Sequence, residues 1–227
     1  MIKDNVSNIR EKIAAAAVKS GRNPEDIKLI GVTKTIEVPQ IQELLDAGVN
    51  CIGENRVQEF LPKYEALSPQ KIEWHFIGHL QRNKVKFIAD KVDLIHSVDS
   101  LALAQEIDRC AEKHNRVIKI LAEVNIGLEA SKFGVPPSEI LEFVKNLVKM
   151  RHVRFSGLMC VAPYVENPEE NRRFFEKMSN LLFDIKENMH YYSFNLELSM
   201  GMTGDFSVAI EEGATMIRIG TALFGER

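Results

Sequence analysis

Several short stretches carry residue types that could do chemistry together. Lys34 follows an apolar run in KLIGVTKT, on the same side of an extended chain as Ile30 and Val32. This puts a primary amine at the mouth of an apolar environment, where a desolvated lysine is the usual amine for condensing with carbonyl compounds. The competing reading is an ordinary solvated lysine at a strand end. Far along the chain, LELSMGMTGDF sets Ser199, Met200 and Gly201 at one strand terminus, and TMIRIGTALFG sets Gly220 and Thr221 at another. Glycine lets backbone N–H groups approach an anion and the hydroxyls add donors, so the two termini together read as a phosphate cradle. Arg218 alternates with Met216 and Gly220, while Ile217 and Ile219 face the other way. An obligate cation on an apolar strand needs a partner, either a ring nitrogen of a ligand or a carboxylate such as Glu197.

The histidines give less. His75 and His79 have HxxxH spacing, but along a strand they stand roughly 13 Å apart and cannot share one ion. His75 reads as a satisfied interior histidine and His79 as a rim residue able to meet a ligand. His96, His114, His152 and His190 form no pattern. No GxSxG elbow supports a serine hydrolase, Cys160 reads as core, and the basic run 81–86 reads as a solvated helix face.

Residues so far apart in sequence need a scaffold to bring them together, and the hydrophobic period supplies one. It predicts strands over 28–34, 49–55, 74–78, 93–98, 117–126, 154–162, 195–200 and 215–220. Helices are predicted over 6–19, 39–48, 57–67, 82–90, 100–114, 137–149, 168–189 and 205–212, with Pro39 in a first turn and Gly48 and Gly213 as stops. Alternation of this kind, without linker or low-complexity segment, predicts one domain over 1–227 and a parallel sheet closed into a (β/α)8 TIM barrel. No GxGxxG follows the first strand, which counts against an open dinucleotide-binding sheet. Little chain follows the last strand, so the amino-terminal helix is expected to serve as the eighth outer helix. The working face of such a barrel is the rim at the carboxyl ends of its strands, which gathers Lys34, Asn55, His79, Ser97, Asn125, Ser199, Arg218, Gly220 and Thr221.

Composition narrows the function. Lys plus Arg is 29 against 32 for Asp plus Glu, a net charge of −3, which argues against nucleic-acid binding by bulk phosphate neutralisation and leaves only local basic patches. With 45% hydrophobic and 27% charged residues the chain can bury a core without disulfides or metal. Cys51, Cys110 and Cys160 are odd in number, widely spaced and free of CxxC pairs, as expected of reduced thiols in the cytoplasm and not of a zinc site. The apolar runs are far shorter than the roughly 18 residues that span a bilayer, and the polar start MIKDNVSNIREK is no secretory signal. No membrane partner is expected, and a monomer is the default in the absence of an exposed apolar helix.

The stretches GVTKT, GENRVQE, WHFIGHLQRNK, GLM, LSMGMTGDF and IRIGTALFG, in this order from about residue 5 to the end, closely resemble the pyridoxal phosphate homeostasis proteins. The resemblance implies the amino-terminal barrel type of alanine racemase, lacking the racemase's carboxyl-terminal β domain. It implies pyridoxal 5'-phosphate held on Lys34 as an internal aldimine. Ser199, Gly220 and Thr221 would hold the phosphate, with Met200 and Gly201 in the same turn, Arg218 would face the pyridine nitrogen, and Asn55 and His79 would line the ring. The family often has serine where this chain has Thr203. Arginine does not protonate a pyridine nitrogen at neutral pH, which weakens the cofactor as an electron sink. A non-catalytic carrier that hands the cofactor to apo-enzymes is therefore the leading expectation. A racemase of cryptic activity would need a second acid/base, for which Tyr164 after the sixth strand is the rim candidate, and a Schiff-base aldolase acting on a sugar phosphate is a third reading.

Overall fold

A computed structural model describes residues 1–68, 70–189 and 195–225; His190 lies outside them. The eight strands are β1 (Lys28–Val32), β2 (Cys51–Glu54), β3 (Glu73–Phe76), β4 (Leu94–Val98), β5 (Ile118–Glu123), β6 (Val153–Met159), β7 (Glu197–Ser199) and β8 (Met216–Ile219). They pair in parallel, each with its sequence neighbours, and β1 closes onto β8, so the expected barrel is the observed one. Its helices are α1 (Ile2–Lys19), α2 (Val38–Asp46), α3 (Val57–Leu67), α4 (Leu101–Lys113), α5 (Ile140–Leu147), α6 (Arg172–Asn188), α7 (Phe206–Glu211) and the single turn α8 (Thr221–Phe224). As anticipated, α1 packs beside α8 and α7, and the Asn5 amide donates to the Leu223 carbonyl at 2.9 Å. Among the described residues no helix is long and apolar enough to cross a membrane.

The observed elements differ from the expected ones in two ways. The segment 82–90 is not an α-helix but a 3-10 stretch, Arg82–Phe87, between β3 and β4. It still buries Val85, Ile88 and Ala89, so it covers the sheet where a helix would have done so. Several strands also stop short of their predicted ends, β1 at Val32 and β5 at Glu123. There the apolar alternation continues into residues that have left the ladder.

The core has two parts. Ile30, Cys51, Leu94, Leu121, Met159 and Met216 form a small apolar cluster inside the barrel, and a larger one fills the layer between strands and helices. The period of two then sets the next inward residues: His75 on β3, His96 on β4, Glu123 on β5, Ser199 on β7 and Arg218 on β8. All five are buried.

Strands β6 and β7 come so close at Gly157 that a side chain has no place there. Its φ is +142°, and an added Cβ would stand 2.6 Å from the Glu197 nitrogen. The Gly157→Ala variant should lose about 3 kcal/mol or more of stability in denaturant unfolding, whereas Gly204→Ala, with nothing within 4 Å of the new methyl, should stay within about 1 kcal/mol of the parent.

Candidate functional site

Lys34 stands in a turn just beyond β1, its side chain exposed at the rim. The expected desolvation is not met: the strand ends two residues earlier, so the ammonium has passed the apolar tube and reaches solvent. The backbone on both sides of it is nevertheless pinned. Thr33 N–H donates to Gly53 O at 3.0 Å, and Ile36 N–H donates back to Thr33 O at 3.0 Å. From α3, Glu59 accepts the Thr35 N–H at 2.6 Å, and one turn later Lys63 donates to the Thr33 carbonyl at 2.6 Å. Thr35 takes φ +61°, a conformation that a non-glycine residue adopts only where surroundings enforce it.

Lys63 is itself buried because it pairs with a carboxylate that is fully inside. Its ammonium lies 2.7 Å from Glu54 Oε1, which also accepts the Thr33 hydroxyl at 2.6 Å. Burial pushes the Glu54 carboxyl up, and the hydrogen bonds from Lys63 and Thr33 pull it part of the way back. This brace was not anticipated, although GENRVQE and the i, i+4 spacing of Glu59 and Lys63 carried the signal.

Arg218 lies inside the barrel, only 5% exposed, level with Ile30 of β1. Its Nη1 donates to Ser199 Oγ at 2.6 Å and its Nη2 to the Cys160 carbonyl at 2.8 Å. The Glu197 pairing considered above does not form. Ser199 is the β7 residue beside Met216, so Arg218 sits above Glu197, whose carboxylate instead accepts the Thr215 hydroxyl at 2.6 Å.

Ser199 must also be corrected as a phosphate donor. It is fully buried, its oxygen accepts from Arg218, and His96 Nδ1 lies 3.0 Å away, so the hydroxyl is engaged by two partners inside the lumen. Met200 contributes no side chain either, since it is fully buried in the outer core cluster and its N–H bonds Met216 O at 3.1 Å. The rest of that turn stays at the rim. Gly201 takes φ +90° and accepts the Arg218 N–H at 3.1 Å. An added Cβ there would stand 2.6 Å from that of Ala209, so the turn needs glycine. Asp205 holds the turn from below, accepting from Met202 N–H at 2.8 Å and from the Asn171 amide at 2.9 Å. Thr203 Oγ1 accepts the Ala222 N–H at 3.3 Å, tying the turn after β7 to α8, where Gly220 is half-buried and Thr221 exposed.

Asn55 is half-buried at the end of β2, with its Oδ1 buried and unpartnered. His79 is exposed at the rim, stacked on Phe133 with ring centroids 3.8 Å apart and Nδ1 3.5 Å from Asp99. Both border or line a cleft of about 480 Å³ that includes Arg56, Leu80 and Lys84. Two other rim candidates serve the framework: the Ser97 hydroxyl donates to Gly78 O, and Asn125 organises its own loop through the Glu129 and Lys132 carbonyls at 2.9 and 3.2 Å. Cys160 is core as expected, with burial raising its thiol to about 12.

Glu123 went unnoticed in the sequence, yet it is the inward residue after Leu121 and ends β5 beneath the rim. Burial first, then repulsion from Asp99, pushes its carboxyl up to about 7 against the pull of Arg218, and its Oε2 is buried without a partner. Two orphaned oxygens, Asn55 Oδ1 and Glu123 Oε2, thus border the same end of the lumen as the guanidinium. A small aromatic ligand that carries both an acceptor ring atom and a donor hydroxyl fits this combination of one guanidinium donor and two acceptor oxygens.

These features define a barrel with an exposed rim amine, a buried guanidinium and a glycine-bearing turn at the last two strands. The chain belongs to the family whose model is described as alanine racemase, N-terminal domain, which it matches over residues 2–227. Within it, the chain is one of the pyridoxal phosphate homeostasis proteins: it is 47% identical over 225 residues to the protein of that name from Aquifex aeolicus, covering 99% of this chain and 97% of that one. PipY of Synechococcus elongatus PCC7942, solved with PLP bound, superposes with a TM-score of 0.85 at 32% identity, over 99% of this chain and 100% of PipY. Alanine racemase of Clostridium difficile 630 shares the fold alone, at 16% identity and a TM-score of 0.72, and this chain spans 57% of its length.

Two stability measurements probe this architecture. Lys63→Met strands a buried carboxylate and should cost about 3 kcal/mol in denaturant unfolding at neutral pH, part of which the double variant Glu54→Gln, Lys63→Met should recover. A carboxyl raised by folding costs stability that appears as pH climbs past its unfolded value and is complete above its folded one. Glu123→Gln should therefore raise stability by on the order of 2–3 kcal/mol at pH 8, and the gain should vanish near pH 4.5 in thermal melts across that range.

Proposed function

We propose that this chain binds pyridoxal 5'-phosphate and serves as a reversible carrier of it, taking part in vitamin B6 homeostasis rather than in turnover of a substrate. The observation that carries this reading is the Arg218 guanidinium, held from within by Ser199 and the Cys160 carbonyl beneath a rim that presents an exposed primary amine. The likeness to PipY over the whole of both chains supports it. When bound, the cofactor would offer an aldehyde that condenses with the Lys34 amine, releasing water to give a Schiff base. Lys34 supplies that amine from a backbone fixed by Glu59 and Lys63. Gly220 and Thr221, with Gly201 of the facing turn, would hold the phosphate through N–H and hydroxyl donors. Arg218 would donate to the ring nitrogen, and Asn55 and His79 would border the ring.

Arginine gives up no proton to that nitrogen, so the site binds the ring without making it a strong electron sink. Racemisation also needs an acid/base on the second face, and Tyr164, the rim candidate for it, is 93% exposed in the loop after β6. In this reading the chain acts in the cytoplasm as a monomer, with apo-enzymes as transient partners. Cys51, Cys110 and Cys160, all free and buried, suit a reducing compartment.

The test is a spectrum of the purified protein followed by borohydride reduction and peptide mapping. Reduction should fix one pyridoxyl group on Lys34, and Lys34→Ala should lose it while retaining weaker binding through the phosphate contacts. A reducible adduct surviving in that variant, or rapid racemisation of amino acids by the parent, would overturn the reading.

A further inference from the structure

Four side chains of the lumen join Arg218 to the opposite end of the barrel. Arg218 Nη1 is 2.6 Å from Ser199 Oγ, and Ser199 Oγ is 3.0 Å from His96 Nδ1. His96 Nε2 is 2.9 Å from His75 Nδ1, and His75 Nε2 is 3.0 Å from Glu73 Oε1. Lys28 closes the series at the amino end, its ammonium 2.7 Å from both Glu73 oxygens. The chain steps from β8 to β7, across to β4, and on to β3 without a gap.

The donor inventory allows one direction. A guanidinium only donates and a carboxylate only accepts. With both buried rings neutral, Glu73 therefore accepts the His75 Nε2 hydrogen, and His75 Nδ1 accepts the His96 Nε2 hydrogen. His96 Nδ1 then accepts from the Ser199 hydroxyl, whose oxygen accepts from Arg218. Each imidazole is thereby restricted to one neutral tautomer, since a proton on His75 Nδ1 would face the His96 N–H. The surrounding charges agree. His75 feels Glu73, Lys28 and Asp93, His96 feels His75, Arg218 and Lys28, and burial lowers both rings, His96 well below the ordinary range. Glu73 is held down to about 2, first by the hydrogen bond from His75.

We propose that Ser199, His96 and His75 are positioning residues for Arg218: the relay, anchored by Glu73 and Lys28, fixes the guanidinium in the rotamer that meets the ring nitrogen of the cofactor. The inference rests on the carrier reading above. It assigns these residues no contact with the cofactor and no proton transfer. Cys51, Glu73 and His75 also cluster within 4.8 Å in ligand atoms, but Lys28 already occupies Glu73 and burial pushes the Cys51 thiol well up, so this end acts as the anchor of the relay.

The test compares pyridoxal 5'-phosphate with its deaza analogue, in which C–H replaces the ring nitrogen, by equilibrium binding. Ser199→Ala and His96→Phe should each weaken pyridoxal phosphate binding about tenfold, Ser199→Thr should keep it, and the analogue should bind all four proteins equally. Equal losses for both ligands, or no loss for pyridoxal phosphate, would overturn the positioning role. Nitrogen-15 NMR of the ligand-free parent tests the relay by itself: both rings should show the neutral Nε2–H form at pH 6, and an Nδ1–H tautomer or an imidazolium at either would overturn it. Failure of the parent to bind either ligand would overturn the carrier reading instead, leaving the relay to the NMR result.

Discussion

A guanidinium enclosed in a barrel must find acceptors, because leaving it unpaired there costs several kcal/mol. Most of the polar order in this lumen follows from that constraint on Arg218. Its partners are neutral, a hydroxyl and a carbonyl, and the hydroxyl needs its own acceptor once it has accepted from arginine. The requirement passes through His96 and His75 until it meets a carboxylate half-exposed at the amino end, paired with Lys28. Each link satisfies the one before it. Charge stays at the two ends, while the desolvated middle holds only neutral rings, which is the less costly way to fill a tube lined lower down by Ile30, Cys51, Leu94, Leu121, Met159 and Met216.

A second buried pair does related work outside the tube. Lys63 and Glu54 lie together beneath the turn that carries Lys34, and both are consumed in fixing its backbone. An amine that condenses reversibly with an aldehyde must be reached by the aldehyde and by water, so its side chain cannot be walled in. The structure separates the two needs, with exposure at the Lys34 ammonium and rigidity at Thr33 and Thr35. Because breaking a buried pair costs more than a surface pair ever contributes, the brace holds the turn even though the lysine itself gains nothing from burial.

The fold was legible because helix and strand periods alternate cleanly through the chain. The ends of strands were less so, since Lys34 continues the alternation of Ile30 and Val32 although hydrogen bonding has already stopped at the rim. Asn55 and His79 lie at the rim as the sequence placed them, whereas Ser199 points into the lumen and bonds Arg218. A serine beside glycine at a strand end reads as an anion donor, but counting by twos from Glu197 places it inward, on the face shared with Arg218. The same count finds His96 two residues after Leu94 and Glu123 two after Leu121. What no count supplies is the stagger between strands, which set Ser199 beside Met216 and so denied Arg218 the carboxylate of Glu197. A pairing that spans the barrel depends on shear, and shear is not written in any one strand.

That stagger has a consequence for how strongly a dianion can be held. Had Arg218 paired with Glu197, the lumen would offer a neutralised dipole to the rim, and a phosphate ester would gain little from it. Serine and a carbonyl satisfy its hydrogen bonds without cancelling its charge, so the positive field persists towards the open end, in surroundings that screen it poorly. Glu123 is the group able to cancel it, and burial together with Asp99 pushes that carboxyl up to about 7, leaving it substantially protonated near neutrality. The cation is thus paired for geometry but not for charge, a state that is costly when the site is empty and relieved when an anion enters. Relief of that cost adds to the affinity for the anion, and an ionised Glu123 would reduce that affinity. Under the carrier reading proposed above, changes around Glu123 would alter retention of the ligand without touching the Lys34 amine.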